Sequence, residues 1–299
     1  MVFLRFTNND VINGRIDHID IGDVIAVDCS EISSLEVLPN WPNVKKVFCH
    51  NNPLLSSLPD WKNVEYVDCS NCVSLTSLPN WKRVKKVGCW SCPNLTSLPN
   101  WSNVTDVTCY KCTQLTSLPL WVNIEYVECS NCYSLSSLPN WENVTVVICY
   151  ENSLLTELPL WSKVSFVNCA DCSSLIKLQN WNTVYTVVCS GCELLTELPN
   201  WQNVRSLNCC DCVNLKSIPK YRMLRCLYCN GCSNIEELVF DHILQDMMFL
   251  NCPLVTNVSP TFSRMIKESP ALKYPSYVVM LQTDFMIHDL EQELFAWLK

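Results

Sequence analysis

Glycine and histidine are scarce in this chain of 299 residues, and their scarcity excludes classes of chemistry. Five scattered glycines provide no Gly-rich loop of the kind that cradles a phosphate. The histidines are too far apart in sequence to suggest a catalytic constellation: His18, His50, His242 and His288. The sequence therefore gives catalysis little support, and we predict that the protein is not an enzyme and carries no cofactor.

Charge is also sparse and is not clustered. Charged residues make up 17% of the chain, the formal net charge is −8, and the lysines and arginines are scattered instead of forming runs. A nucleic-acid backbone is recognised through concentrated positive charge. We therefore predict that the protein has no nucleic-acid partner.

Long apolar runs are missing as well. No stretch approaches the ~18 consecutive apolar residues of a membrane span, and the first twenty residues have neither the apolar run nor the small-residue cleavage site of a secretion signal. We expect an intracellular, cytoplasmic protein without a membrane partner. In that compartment the 22 cysteines should remain reduced.

What the chain does have is a repeat of 20 residues, present in twelve consecutive copies without insertion or deletion over residues 24–259. Counted from the first valine of each copy, it reads V-x-x-V-x-C-x-x-C-x-x-L-x-x-L-P-x-W-x-N. Positions 1 to 6 alternate like a short strand, with Val44, Val47 and Cys49 inward in the second copy. Because one copy cannot bury its apolar face alone, the copies must stack into a solenoid.

The pattern resembles the leucine-rich repeat, L-x-x-L-x-L-x-x-N/C-x-x-L-x-x-L, and position 9 carries the resemblance. That position is Cys72 in the third copy and Asn52 in the second, and asparagine or cysteine is what the family places there; only Ile32 in the first copy departs. The short repeat and its Leu-Pro pair are similar to those of secreted bacterial effectors and of proteins from large DNA viruses. The resemblance implies an α/β-class, right-handed curved solenoid with a parallel sheet on the concave face and an extended or 3-10 convex side.

The chain divides into three predicted parts. Residues 1–23 contain two alternating runs and should form a small β-rich cap over the open edge of the first repeat. Residues 24–259 are the repeats. In residues 260–299 the period becomes helical, with Ile287, Leu290 and Leu294 on one stripe, so a helix over 283–298 is expected to cap the last repeat or to dock a partner.

The cysteines allow three interpretations. Cys69-x2-Cys72 followed by Cys89-x2-Cys92 has the spacing of a four-thiolate zinc site. However, a pair copied every 20 residues produces that spacing automatically, and buried cysteine is a good small apolar filler. We therefore interpret the thiols as structural and predict no metal site, while metal binding and a redox disulfide remain alternatives.

The tryptophans recur every 20 residues from Trp41 to Trp201, with Tyr221 as the tenth member of the column. A ligand-stacking surface is one interpretation of such a column. Its constant phase relative to the leucines favours a buried structural ladder instead.

Function is expected on the outward strand positions, which vary while the core columns stay nearly constant. Seven aromatic residues there are of the types enriched where binding energy concentrates. Lys46 and Lys86 should add salt-dependent steering toward an acidic partner surface without supplying most of the affinity. We predict a protein-binding module, monomeric, acting in a host cytoplasm if the protein is a viral or bacterial effector. The alternatives are a thiol-rich metal or redox protein and a substrate adaptor for ubiquitin machinery. The predicted binding residues on the concave face are Lys46, Phe48, Tyr66, Lys86, Trp90, Tyr110, Tyr126, Tyr150 and Phe166.

Overall fold

The structure is a computed structural model that describes residues 3–238, 244, 246–248, 252 and 257–258. In the described part of the chain, thirteen short strands form one parallel sheet, ordered in space as they are along the chain. The strands are β1 Phe3–Arg5, β2 Ala26–Asp28, β3 Lys46–Phe48, β4 Tyr66–Asp68, β5 Lys86–Gly88, β6 Asp106–Thr108, β7 Tyr126–Glu128, β8 Val146–Ile148, β9 Phe166–Asn168, β10 Thr186–Val188, β11 Ser206–Asn208, β12 Cys226–Tyr228 and β14 Asp246–Met248. Strands β13 Glu237–Leu238 and β15 Asn257–Val258 form a separate parallel pair.

The repeat period sets the register of the sheet. Val47 lies opposite Val67, and Val67 lies opposite Val87, so each position pairs with itself one repeat later. Position 4 points into the core and is fully or almost fully buried in every described repeat from β2 to β12. The strands contain three residues instead of the predicted six. Hydrogen bonds beside them continue the ladder, as from the Cys49 amide to the Asp68 carbonyl at 2.7 Å.

A turn follows each strand because position 8 adopts a left-handed backbone. Its φ is +59° at Asn51, +55° at Asp171 and +68° at Gly191. Asparagine, aspartate and glycine tolerate this region best. They occupy most position-8 sites of the described repeats, a signal of the turn that the sequence analysis did not use.

The tryptophan column is a buried ladder, which confirms the structural interpretation. Trp61 to Trp181 are at most 1% exposed, and successive rings stack with centroids about 6 Å apart. Each indole N–H from Trp61 onward donates to the position-16 carbonyl of the preceding repeat, as from Trp121 to Pro99 at 3.0 Å. Tyr221 keeps the contact by donating its hydroxyl to the Pro199 carbonyl at 2.8 Å.

The N-terminal residues extend both ladders. Strand β1 adds to the sheet beside β2, and Phe6 stacks on Trp41 with ring centroids 6.1 Å apart. The 3-10 helix η1, Asn8–Asp10, follows, with the Asp10 carboxylate accepting the Thr7 amide at 2.7 Å. We expected the cap to cover the sheet edge. In the described part of the chain, β1 is itself the edge strand, and its three-residue length limits pairing with another chain.

The side of each repeat opposite the sheet is extended, as the proline column predicts. Among the residues described, η1 is the only helical segment. The helical cap predicted over 260–299, with its helix at 283–298, lies outside the described residues.

Candidate functional site

The side chains at positions 3, 5 and 7 of the repeats form one surface of the sheet, here called the sheet face. All nine predicted binding residues lie on it. Position 3 contributes Lys46, Tyr66, Lys86, Tyr126 and Phe166, position 5 contributes Phe48, and position 7 contributes Trp90, Tyr110 and Tyr150.

These side chains are less exposed than expected. Eight of the nine are half-buried, and Tyr126 is only 8% exposed. The reason is the strand spacing of ~4.8 Å, at which neighbouring side chains cover one another's flanks. Tyr126 therefore contributes to packing and is a poor choice for testing binding alone.

The aromatic side chains lie in pairs along the sheet face. Trp90 and Tyr110 stack with ring centroids 5.2 Å apart and planes 3° from parallel. Phe48 and Tyr66 are tilted at 42° with centroids 5.1 Å apart. Each pair presents preformed apolar surface whose side chains have already lost rotational freedom, which lowers the entropic cost of binding.

The predicted lysines are not equivalent. Lys86 makes a 3.4 Å ion pair with Asp106 on the neighbouring strand, and this pairing neutralises part of the lysine's charge. Burial lowers the pKa of Lys46, which opposes the charged form. Steering by Lys86 is therefore weaker than its identity alone suggests.

A serine, a histidine and an aspartate meet near the N-terminal end of the sheet face. The Ser30 hydroxyl lies 3.0 Å from Nδ1 of His50, and an Asp68 oxygen lies 3.4 Å from the same nitrogen. In a hydrolytic triad the hydroxyl and the carboxylate contact opposite ring nitrogens. This cluster is therefore not such a triad, although the Asp68 carboxylate, as acceptor of a hydrogen bond from the His50 ring, raises the pKa of His50.

Glu128 is the functional candidate that the sequence analysis missed. It sits at position 5 of β7, is 5% exposed and accepts a hydrogen bond from the Tyr126 hydroxyl at 3.2 Å. Burial raises the pKa of its carboxyl to about 7, and the Tyr126 hydrogen bond offsets part of that rise. The sequence feature that could have indicated it is a glutamate at position 5, where the neighbouring repeats have the uncharged residues Thr108 and Ile148.

The buried Glu128 carboxyl should make the fold pH-sensitive. Its folded pKa of about 7 exceeds the ordinary glutamate value of 4.5, so the native state binds more protons and stability falls as the pH rises from about 4.5 to about 7. The total loss is about 3 kcal/mol at 1.36 kcal/mol per pKa unit. We expect Glu128→Gln to gain about that much in unfolding free energy relative to wild type between about pH 5 and pH 8.

Urea unfolding of both proteins at the two pH values measures this difference. The matched control is Glu125→Gln, which changes a solvent-exposed glutamate just before the same strand. The control should track wild type at both pH values. A Glu128→Gln difference that does not change with pH would contradict a buried, protonated carboxyl.

Position 9 joins successive repeats through buried side chains. Asn152 accepts the Cys132 amide at 2.8 Å and donates to the carbonyls of Cys129 and Cys149 at 2.9 and 3.0 Å. Where position 9 is cysteine, the thiol donates to the position-6 carbonyl of the preceding repeat, as from Cys72 to Cys49 at 3.1 Å. This column is the geometric counterpart of the motif on which the sequence resemblance rests.

Comparison with known proteins decides the fold. No protein-family model matches the chain, and no curated protein does. A leucine-rich repeat protein from Bacteroides ovatus superposes with a TM-score of 0.51 at 15% identity, over 84% of this chain and 83% of that chain. The chain has the leucine-rich-repeat fold.

Two further solved structures carry related descriptions at lower similarity. A leucine-rich cell surface protein from Faecalibacterium prausnitzii gives a TM-score of 0.37 at 17% identity, over 72% of this chain and 76% of that chain. The leucine-rich repeat protein of T. pallidum gives 0.28 at 17% identity, over 66% and 82%. The fold assignment rests on the first structure together with the 20-residue parallel repeat.

In this leucine-rich-repeat fold most of the cysteine thiols are buried in the core, and only Cys210, Cys226 and Cys252 are half-buried. Burial raises the pKa of the Cys49 and Cys129 thiols well above its usual range. The thiolate is the nucleophilic form of cysteine, so burial lowers the reactivity of these two thiols. Among the described residues, no group of three or more metal-binding side chains is arranged to hold an ion.

A second surface of the leucine-rich-repeat solenoid is a shallow polar groove along positions 2 and 20. Its polar groups bond mainly to the protein itself: Lys85 pairs with Glu65 at 3.0 Å, and Asn103 donates to the Lys82 carbonyl at 2.7 Å. Binding there would require these contacts to be exchanged, so the sheet face is the stronger candidate. Within the described part of the chain, no helix could span a membrane.

Proposed function

We propose that the protein is a non-enzymatic scaffold that binds a partner protein on the sheet face, as the leucine-rich-repeat fold commonly does. The observation that carries the proposal is the contrast between columns. Positions 1, 4, 6 and 12 repeat nearly the same buried residues, whereas positions 3, 5 and 7 combine different aromatic, acidic and basic side chains from strand to strand. A constant core with a variable surface is how a repeat scaffold presents a specific interface.

Curvature supports the choice of this face. Successive tryptophan ring centroids are 6.0 to 6.1 Å apart near the middle of the ladder, whereas parallel strands are ~4.8 Å apart. Equivalent repeats that are further apart on one side than on the other must bend toward the closer side. The sheet face is then the concave one, a shape that can surround a folded partner.

The aromatic pairs should supply most of the affinity. Residues that contribute strongly to protein interfaces are enriched in tryptophan and tyrosine, and truncating one commonly costs about 2 kcal/mol or more. Tyr66 and Trp90 are half-buried against their stacking neighbours, so the folded protein holds them in position before binding. Lys46 and Lys86 would add orientation rather than affinity.

Affinity capture from the source cell with mass spectrometry identifies the partner, and paired measurements on variants then test the site. Tyr66→Ala and Trp90→Ala should each weaken the captured partner by at least about tenfold because a stacked anchor is lost. Their melting temperatures should change little because neither side chain is in the core.

The matched control is Leu120→Ala, which removes a 59% exposed apolar side chain from position 17, away from the sheet face. It should leave both affinity and melting temperature unchanged. Unchanged affinity in the Tyr66 and Trp90 variants would contradict binding on the sheet face. Host-directed effector action would be judged from the identity of the captured partner.

A further inference from the structure

An acidic group without a cationic partner lies at the centre of the sheet face. Strand β7, which ends in Glu128, is the seventh of the thirteen strands. The side chain of Glu128 is almost fully buried, and its hydrogen bond comes from the neutral hydroxyl of Tyr126. No lysine, arginine or histidine of the described part of the chain makes an ion pair with it.

The other titratable groups packed around Glu128 and Tyr126 are acids and phenols, together with the buried Cys129 thiol and Lys111, whose Nζ lies 5.9 Å from the centroid of the Tyr110 ring. Asp106 and Tyr110 come from the preceding repeat, and Tyr150 and Glu151 come from the following one. Asp106 already pairs with Lys86, and Glu151 accepts the side-chain amide of Asn131. Among these three acids, only Glu128 receives neither an ion pair nor an amide hydrogen bond from the described residues.

Tyrosine rings surround the same carboxyl. Tyr126 lies on its strand, and Tyr110 and Tyr150 occupy position 7 of the repeats on either side. Position 7 between them is Ser130, whose small side chain is fully buried among its neighbours.

Carboxylate and aromatic rings together favour one kind of ligand. A cation is attracted to the ring faces as well as to the negative charge, and the aromatic attraction strengthens where water is excluded. An unpaired buried carboxylate is costly, and a cation entering from outside removes that cost. An anionic or purely apolar group would leave the carboxyl unmatched.

We propose that Glu128, Tyr110, Tyr126 and Tyr150, here called the Glu128 pocket, receive a lysine or arginine side chain of the bound protein. This inference rests on the proposed function, because it specifies the chemistry of a partner that binds the sheet face. The net charge of −8 favours the approach of a basic partner surface. Glu128 would then provide specificity, and the stacked pairs elsewhere on the face would provide apolar contact.

The pairing requires the ionised form of Glu128. Binding should therefore be tighter at about pH 8 than at about pH 5, where the buried carboxyl is protonated. Glu128→Gln keeps the shape of the side chain, removes the charge and should be at least as stable as wild type. It is therefore a usable folded probe.

Two phage-displayed libraries of short random peptides, one complete and one lacking lysine and arginine, provide the test. Both are selected on the full chain at about pH 8, and sheet-face binders are recognised by their loss of binding to Tyr150→Ala. We expect such binders mainly from the complete library. Glu128→Gln should weaken them by at least about tenfold, and so should replacing their basic residue with alanine.

The two losses should not add when combined, because both remove the same ion pair. Glu125→Gln serves as the control and should leave the affinity unchanged. Sheet-face binders that tolerate Glu128→Gln within a factor of about two would overturn this inference and leave the proposed function standing. No sheet-face binder from either library would count against both.

Discussion

Replacing Trp121 with alanine is expected to lower the free energy of unfolding by about 3 to 5 kcal/mol, as large-to-small changes in cores do. The side chain is fully buried, with ring centroids 6.1 Å from Trp101 and 6.0 Å from Trp141. Its removal leaves a cavity in the middle of a continuous ladder. The Pro99 carbonyl also loses its 3.0 Å hydrogen bond.

Trp121→Tyr is the matched control, because the chain already contains this substitution at Tyr221. There the hydroxyl reaches the equivalent carbonyl and the ring continues the stack, with centroids 5.8 Å apart. The tyrosine variant should therefore lose less than half as much stability as the alanine variant. Equilibrium urea unfolding measures the stability of both variants. A loss below about 1 kcal/mol in the alanine variant would contradict a ladder that stabilises the fold.

Replacing Asn152 with alanine should cost about 3 kcal/mol or more, because three buried backbone groups lose their partner at once. These are the amide of Cys132 and the carbonyls of Cys129 and Cys149, all within 3.0 Å of the asparagine side chain. Each unsatisfied buried group costs about 1 to 3 kcal/mol. Relaxation of the turn should recover part of the lost free energy of unfolding.

Asn152→Cys provides the comparison, since cysteine is the residue at this position in most other repeats. The Cys72 thiol donates a hydrogen bond to the Cys49 carbonyl and accepts one from the backbone N–H of Asn52. One sulfur therefore satisfies two backbone groups. We expect the cysteine variant to lose only about 1 kcal/mol. Equal losses in the alanine and cysteine variants, measured by urea unfolding, would show that these hydrogen bonds do not determine the preference at position 9.

The constant columns could be predicted because their physics depends on the period alone. An identical apolar residue every 20 positions has to lie against its own copies, so the parallel register, the tryptophan ladder and the cysteine column were all accessible from the sequence. The left-handed turn at position 8 was also accessible, from its asparagine, aspartate and glycine content.

The sheet face was harder to predict because its properties depend on cross-strand neighbours. Tyr126 and Tyr66 occupy the same position, yet Tyr126 is buried and Tyr66 is half-buried. Lys86 was predicted to steer a partner, but Asp106 on the next strand pairs with it. Glu128 was missed because its unusual state arises from burial within the sheet and not from any motif.

Hydrogen exchange of the chain, alone and bound to its captured partner, tests binding on the sheet face most directly. The account predicts that binding slows exchange of peptides covering β3 to β9 and the turns that follow them, where the aromatic pairs and Glu128 lie. Peptides of the opposite side, such as the segment containing Leu120 and Val122, should exchange at unchanged rates. Protection confined to that opposite side or to residues 260–299, with β3 to β9 unchanged, would contradict it.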